Sequence, residues 1–335
     1  MGEDQLAEWA VETRELVKTY GKVEAVRGID LSVRPGEIFG FLGPNGAGKS
    51  TTIGILCTLT EPTAGRALVG GIDVVRDPGS VRARIGLVFQ DTTLDDQLTA
   101  RENLEFHAFL YDVPRWERRR RIDRVLEMVD LRERAGSLVR TFSGGMKRRL
   151  EIARGILHSP YVLFLDEPTL GLDPQTRNRI WEYLHDLRRR EGITIFMTTH
   201  YMDEAEFCDR IAIIDHGRIV AQGSPAELKG LVGGDVITLR TRDDGGALEQ
   251  IRQRFGLEPA IDPGGLRLEV RDGAGFVPRL LRELTVPVDR VTLSRPSLDD
   301  VFLKLTGHAI RDEEVGMRDR MRGMAVRWRG ARGRR

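Results

Sequence analysis

Cysteine is scarce: the 335 residues include only Cys57 and Cys208, too few for a disulfide framework or a Cys-rich zinc site. Long apolar runs are also missing. Stretches such as Ile211-Ala212-Ile213-Ile214 stop after four residues, whereas a membrane helix needs about 18, so the sequence predicts a chain that does not span a bilayer. The opening Met1-Gly2-Glu3-Asp4-Gln5 is too acidic for a secretion signal, which places the expected location in the cytoplasm. An excess of either charge is absent, since 52 basic residues face 51 acidic ones, and no nucleic-acid-coating role is expected. Lysine is rare, at six of those 52, and we read the resulting Arg bias as genome composition rather than function. What is present, 40% hydrophobic and 31% charged residues, is ordinary globular composition, in a length that exceeds one usual core and predicts two domains.

Up to about residue 230, short apolar runs alternate with helical patterns, the order of an α/β domain with a largely parallel sheet. The expected strands are Ile38 to Leu42, Ile85 to Phe89, Val162 to Leu165, Ile193 to Thr198 and Arg210 to Ile214. Between the second and third, Ile122, Val125, Leu126 and Val129 fall at helical spacing, with Arg118 to Arg121 as the solvated face of that helix. Ser224-Pro225-Ala226-Glu227 is a capping box opening a short helix, after which residues 230 to 234 end the first domain. Residues 231 to 308 read as βαββαβ, a small ferredoxin-like α+β domain used for accessory or dimerisation contacts, closed by a helix capped at Ser297. Residues 309 to 335 form the end of the chain.

Gly43-Pro44-Asn45-Gly46-Ala47-Gly48-Lys49-Ser50 matches the phosphate-loop pattern GxxxxGK[ST] and follows a strand-like run. Its glycines let backbone amides converge on phosphate oxygens, and the following helix, with Thr51 in its first turn, turns its positive end toward them. Lys49 neutralises the outer phosphates and Ser50 offers a hydroxyl to Mg²⁺. The buried run Val162 to Leu165 ends in Asp166-Glu167, where Asp166 can orient the Mg²⁺ shell and Glu167 can polarise the water attacking the γ-phosphate. Thr141-Phe142-Ser143-Gly144-Gly145-Met146 precedes a further helix and forms a second anion site, which one nucleotide in one subunit does not need.

That Ser-Gly-Gly element resembles the signature motif of the ATP-binding-cassette (ABC) ATPases, P-loop NTPases with a helical subdomain, in which it contacts the ATP held by the opposite subunit. The resemblance implies further roles. Tyr20, 29 residues before Lys49, is similar to the aromatic that stacks on adenine. Gln90 resembles the glutamine that senses Mg²⁺ and the γ-phosphate, Leu172-Asp173 the loop crossing the dimer interface, and His200 the switch histidine on the γ-phosphate. The signature departs from the usual Leu-Ser-Gly-Gly-Gln, so only Ser143, Gly144 and Gly145 carry over as contacts in trans, and Met146 does not. ATP and Mg²⁺ are the implied ligands.

Translation-type members of this family carry two cassettes per chain, and chromosome-type members insert a long coiled coil. Here one phosphate loop is present, and only 94 residues without sustained heptads separate Lys49 from Ser143. Pro296 to His308, with Gly171-Leu172-Asp173-Pro174, further resembles the daunorubicin-resistance type of exporter ATPase. This implies a homodimer on the cytoplasmic face of the membrane, working with a separately encoded permease to export a hydrophobic drug, antibiotic or lipid. The alternative functions are a soluble drug-sequestering resistance protein and a non-transport ABC ATPase. Residues 91 to 106 are the candidate contact with the membrane subunit. The near-zero net charge hides an asymmetry: residues 311 to 335 hold nine Arg against four acids. We read them as a solvated, mobile tail, although Met317, Met321, Met324 and Trp328 recur at a helical spacing that also fits an anionic lipid surface.

Overall fold

In the computed structural model, residues 8 to 262 and 265 to 307 are described. The expected tail, residues 309 to 335, and His308 of the closing motif lie outside them. The chain forms two units, the first ending at Ser224 and the second spanning residues 225 to 307.

The first unit runs β1 (Val11–Tyr20), β2 (Val23–Val33), β3 (Ile38–Leu42), α1 (Lys49–Leu56), β4 (Ala64–Val69), β5 (Ile72–Asp73), α2 (Pro78–Arg84), β6 (Ile85–Val88), α3 (Ala100–Leu110), α4 (Arg115–Met128), α5 (Gly144–Ile156), β7 (Val162–Asp166), α6 (Pro174–Glu191), β8 (Thr194–Thr199), α7 (Met202–Ala205), β9 (Arg210–Asp215) and β10 (Arg218–Gly223). A six-stranded sheet has the order β10-β9-β3-β8-β7-β6, parallel except for β10 at its edge. Its central strands β3 and β8 are buried along their whole length, which explains the apolar composition of β3 and of Ile195 to Met197 in β8, whose ends are buried threonines. The stacked rings of Phe39 and Phe196 join them on one face.

A second sheet, ordered β2-β1-β4-β5 and antiparallel, was not foreseen from the sequence. Val11, Thr13 and Leu16 point inward, but the pairing shifts between Thr13 and Leu16, where Glu15 takes φ 47°. This bulge breaks the period-2 alternation on which a strand reading depends.

The helical segment α3 to α5 lies between β6 and β7 in the chain. The α4 helix buries Ile122, Val125 and Leu126 as the spacing predicts. Its basic run is only partly solvated: Arg119 and Arg120 are exposed, but Arg118 donates to the Val113 carbonyl at 2.7 Å and lies over the Phe109 ring, and Arg121 pairs with Glu117. Asp173 caps α6, which buries Ile180, Trp181, Leu184 and Leu187 and stops at Gly192 in the left-handed region.

The second unit contains α8 (Pro225–Gly230), β11 (Asp235–Thr241), α9 (Asp244–Phe255), β12 (Ala260–Asp262), β13 (Gly265–Val270), α10 (Gly273–Glu283), β14 (Val288–Ser294) and α11 (Leu298–Thr306). The sheet order β12-β13-β11-β14, antiparallel throughout, is the ferredoxin-like arrangement. Ile237, Leu239, Leu266 and Leu268 project from one face onto Ala247, Ile251, Leu280 and Leu284. This unit begins at Pro225, six residues before the expected boundary, because α8 packs on α11 and Lys304 of α11 donates to the Leu231 and Val232 carbonyls.

Candidate functional site

The phosphate loop, residues 43 to 48, joins β3 to α1. Its glycines are required by close approach: a Cβ on Gly43 would lie 2.3 Å from the Ile214 carbonyl oxygen, and one on Gly48 2.4 Å from that of Ala25. Gly48 also has φ 110°, a region that side chains disfavour. The loop is thus held between β9 and β2, its Gly43 and Ala47 amides donating to the Thr199 and Pro44 carbonyls, and it leads into α1, whose first-turn amides have no acceptor within the helix. Ser50 and Thr51 lie in that first turn. The buried Lys49 ammonium donates to the Gly43 and Pro44 carbonyls at 2.7 and 3.1 Å and sits 3.3 Å from Glu167 Oε1.

At the carboxyl end of β7, Asp166 Oδ1 accepts from Thr198 Oγ1 at 2.5 Å and from Ser50 Oγ at 3.4 Å. Thr198 also accepts the Glu167 amide at 3.0 Å, so one hydroxyl orients both carboxylate residues. Glu167 takes φ 45° and is buried, with Oε2 at 3.2 Å from His200 Nδ1. Burial pushes the Glu167 carboxyl up, but its contacts with His200 and Lys49 outweigh this and hold it below the usual carboxylate range. It is therefore an anion held between two basic groups.

Lys49, Ser50, Asp166, Glu167 and His200 are thus brought to one point where parallel strands end. Tyr20 ends β1, half exposed at 49%, with the Lys18 ammonium 4.9 Å from its ring centre. The strand β2 that pairs with it carries Ala25, the neighbour of Gly48. Gln90 is exposed and follows β6, which ends at Val88, two residues before it. Ser143, Gly144, Gly145 and Asp173 form a second cluster. Ser143 caps α5 by accepting from the Met146 amide, and Asp173 caps α6 by accepting from Thr176. A Cβ on Gly145 would lie 2.4 Å from the Thr176 methyl, so the two helix starts are in contact.

Sequence reasoning missed Thr198, Arg148, Glu151 and Glu204. Thr198 acts through parallel register with Asp166, which no local pattern encodes. Arg148 and Glu151 are charged residues on the buried side of α5, three positions apart, and that pairing on an apolar helix face was the available signal. Glu204 accepts from the Thr169 and Thr199 hydroxyls beside Arg177, and burial pushes its carboxyl up.

A phosphate loop at the head of a parallel sheet, a strand-end carboxylate pair and a second glycine-headed helix start together define a P-loop nucleoside triphosphatase of the ABC type. The family model described as ABC transporter matches residues 26 to 170, and that of the ATP-binding protein DrrA1-3-like C-terminal domain matches residues 223 to 306. A daunorubicin resistance ATP-binding protein of Streptomyces coeruleorubidus is 42% identical, covering 92% of this chain and all of its own length. The linearmycin resistance ATP-binding protein of Bacillus subtilis is 39% identical over 90% of this chain and its own full length. Among solved structures, a subunit of an ABC transporter complex from Clostridium perfringens aligns at TM-score 0.63 and 28% identity, over 74% of this chain and 96% of that one. A dimeric ATP-binding cassette in a post-hydrolysis state with ADP and Pi aligns at TM-score 0.58 and 32% identity, over 64% of this chain and 98% of that one. The chain belongs to the ATP-binding subunits of ABC transporters, in the daunorubicin-resistance branch, and is an ATPase. No described helix is long and apolar enough to cross a membrane.

Proposed function

We propose that two copies of this chain close around two ATP–Mg²⁺ units and thereby drive export of a hydrophobic drug, antibiotic or lipid through separate membrane subunits. The observation that carries this reading is the convergence of Lys49, Ser50, Asp166, Glu167 and His200 beside a glycine cradle that side chains would fill. The phosphate loop, residues 43 to 50, and the first turn through Thr51 hold the phosphates, chiefly through the amides from Gly46 and Gly48 onward, and exposed Tyr20 stacks on adenine. When bound, Mg²⁺ supplies Lewis-acid charge on the phosphates, and Ser50, Asp166 and Gln90 are the residues that would hold it directly or through water. Lys49, which otherwise faces loop carbonyls and Glu167, turns to the outer phosphates. Glu167 then accepts a proton from the attacking water while His200 orients it and contacts the γ-phosphate.

The second cluster, a serine-capped helix start beside Asp173, suits a role in trans: Ser143, Gly144 and Gly145 of one copy cap the nucleotide of the other, and Asp173 crosses the interface. The relatives named for resistance to daunorubicin and linearmycin support the class of cargo, and the dimeric cassette supports the assembly. The second unit, residues 225 to 307, is assigned to accessory or dimerisation contacts, and the complex to the cytoplasmic face of the membrane. Glu167→Gln is expected to leave ATP affinity intact, to trap an ATP-dependent dimer in gel filtration, and to lower turnover about 10²–10⁴-fold. Full turnover in that variant would overturn the role of Glu167.

A further inference from the structure

The charged residues buried in α5 hold the chain where it leaves both β6 and β7. Arg148 is 6% exposed and its guanidinium makes four contacts. Nε donates to the Pro168 carbonyl at 2.5 Å, just past the end of β7, and one terminal nitrogen to the carbonyl of Asp166, its last residue, at 3.1 Å. The other terminal nitrogen donates to the Phe89 carbonyl, one residue before Gln90, and to Glu151 Oε2 at 3.1 Å. Glu151 is 1% exposed, and its second oxygen accepts the Thr93 amide at 2.8 Å, three residues beyond Gln90. One helical turn further on, Arg154 donates to the Thr93 carbonyl at 3.0 Å and to its hydroxyl.

We propose that Arg148 and Glu151 are positioning residues for ATP hydrolysis: they fix the distance between the Gln90 loop and the Asp166-Glu167 strand end, and tie both to the helix headed by Ser143. A guanidinium is suited to this because its planar fork presents several donors at fixed angles, and here it spans three backbone carbonyls on two chain segments and a carboxylate of its own helix. Lysine, with one ammonium, reaches only part of that set. Glu151 supplies the charge that keeps the guanidinium acceptable in the interior, and its other oxygen carries the link to the far side of the Gln90 loop. Because Ser143 caps this same helix, a shift of the Ser143 loop on meeting a second subunit is carried to Gln90 and Asp166 through a rigid element.

This inference rests on the roles assigned above to Gln90, Asp166 and Glu167, and its test separates from theirs. The full-length protein is assayed as Arg148→Lys, as Glu151→Gln, and as the double variant Arg148→Gln/Glu151→Gln, which removes both charges of the buried pair together. For each, melting temperature, ATP affinity, kcat and the Mg²⁺ concentration for half-maximal rate are measured. The expected result is an ATP affinity within about twofold of the parent, a kcat lowered at least tenfold in the double variant, and a rise of several-fold in the Mg²⁺ requirement. Arg148→Lys is expected to follow the double variant rather than the parent, and Glu151→Gln, which keeps the three carbonyl contacts, to fall between. A double variant that folds and keeps the parental kcat and Mg²⁺ requirement would overturn the proposal, as would full rescue by lysine. If Glu167→Gln fails to stop turnover while the Arg148 variants still raise the Mg²⁺ requirement, the assignment of Glu167 fails and the positioning role stands.

Discussion

In the nucleotide-binding unit the interior holds the charged residues Glu37, Lys49, Arg148, Glu151, Glu167, Glu204 and Asp215, whereas in the second unit the buried polar residue among the described ones is Thr241, within an otherwise apolar core. Both units fold by burying apolar sheet faces under helices, so this contrast is not a matter of architecture. Ionised groups are costly to remove from water, and they persist in an interior only where partners are prearranged for them. In the first unit each has such partners: Lys49 with loop carbonyls and Glu167, Arg148 with Glu151 and three carbonyls, Glu204 with two hydroxyls. Buried charge in the first unit thus gathers around the phosphate loop and the ends of β6 and β7, with a structural pair elsewhere in Glu37 and Arg210, while the described core of the second unit does without it.

The comparison is most sharply tested at the cradle. Gly48→Val places a branched side chain at φ 110° against the Ala25 carbonyl, and ATP binding is expected to fall more than about 100-fold, beyond detection by equilibrium dialysis at micromolar protein. Retained binding would mean that the loop is not held against β2. In the second unit the same logic predicts a stability effect without a functional one. Leu268→Ala removes a buried side chain from the aliphatic core and should cost that unit about 2–5 kcal/mol in urea unfolding, while the ATP affinity of the first unit stays unchanged. A shift in ATP affinity would break the division between the units.

The smallest effect concerns pH. The His107 ring, beside Tyr111 and His158, is held down to a pKa of about 3 by burial first, then by the Arg154 charge and by His158. Its folded pKa lies below the unfolded value of about 6.5, so the neutral ring favours the native state. That contribution is complete above pH 6.5 and is lost as the pH falls toward 3. His107→Gln should move the acid-unfolding midpoint of the first unit slightly downward, and an unchanged midpoint in a pH titration followed by circular dichroism would show that the ring is not held neutral.

Much of this was legible in one dimension. The strands β3, β6, β7, β8 and β9 were readable because they are largely covered on both faces, so each carries a short apolar run at its centre. The second unit was readable because Ile237 and Leu239, like Leu266 and Leu268, alternate with polar neighbours. The sheet formed by β1, β2, β4 and β5 was not, since Glu15 at its bulge interrupts that alternation and its outer face is charged. At the site, Lys49, Ser50, Asp166 and Glu167 belong to contiguous motifs whose spacing is itself the chemistry, so they could be named directly.

What the sequence alone determined, then, is the inventory: a phosphate loop, two carboxylates, a second glycine-headed helix start and a small α+β unit after them. Which side chains meet was decided only by tertiary structure. Thr198 reaches Asp166 because β7 and β8 pair in parallel at that register, and Arg148 bridges Phe89 and Asp166 because α5 packs across the ends of two strands 77 positions apart in the chain. The reason is physical: contiguous motifs are set by local backbone geometry, whereas a hydrogen bond between distant segments exists only after the apolar burial that brings them together.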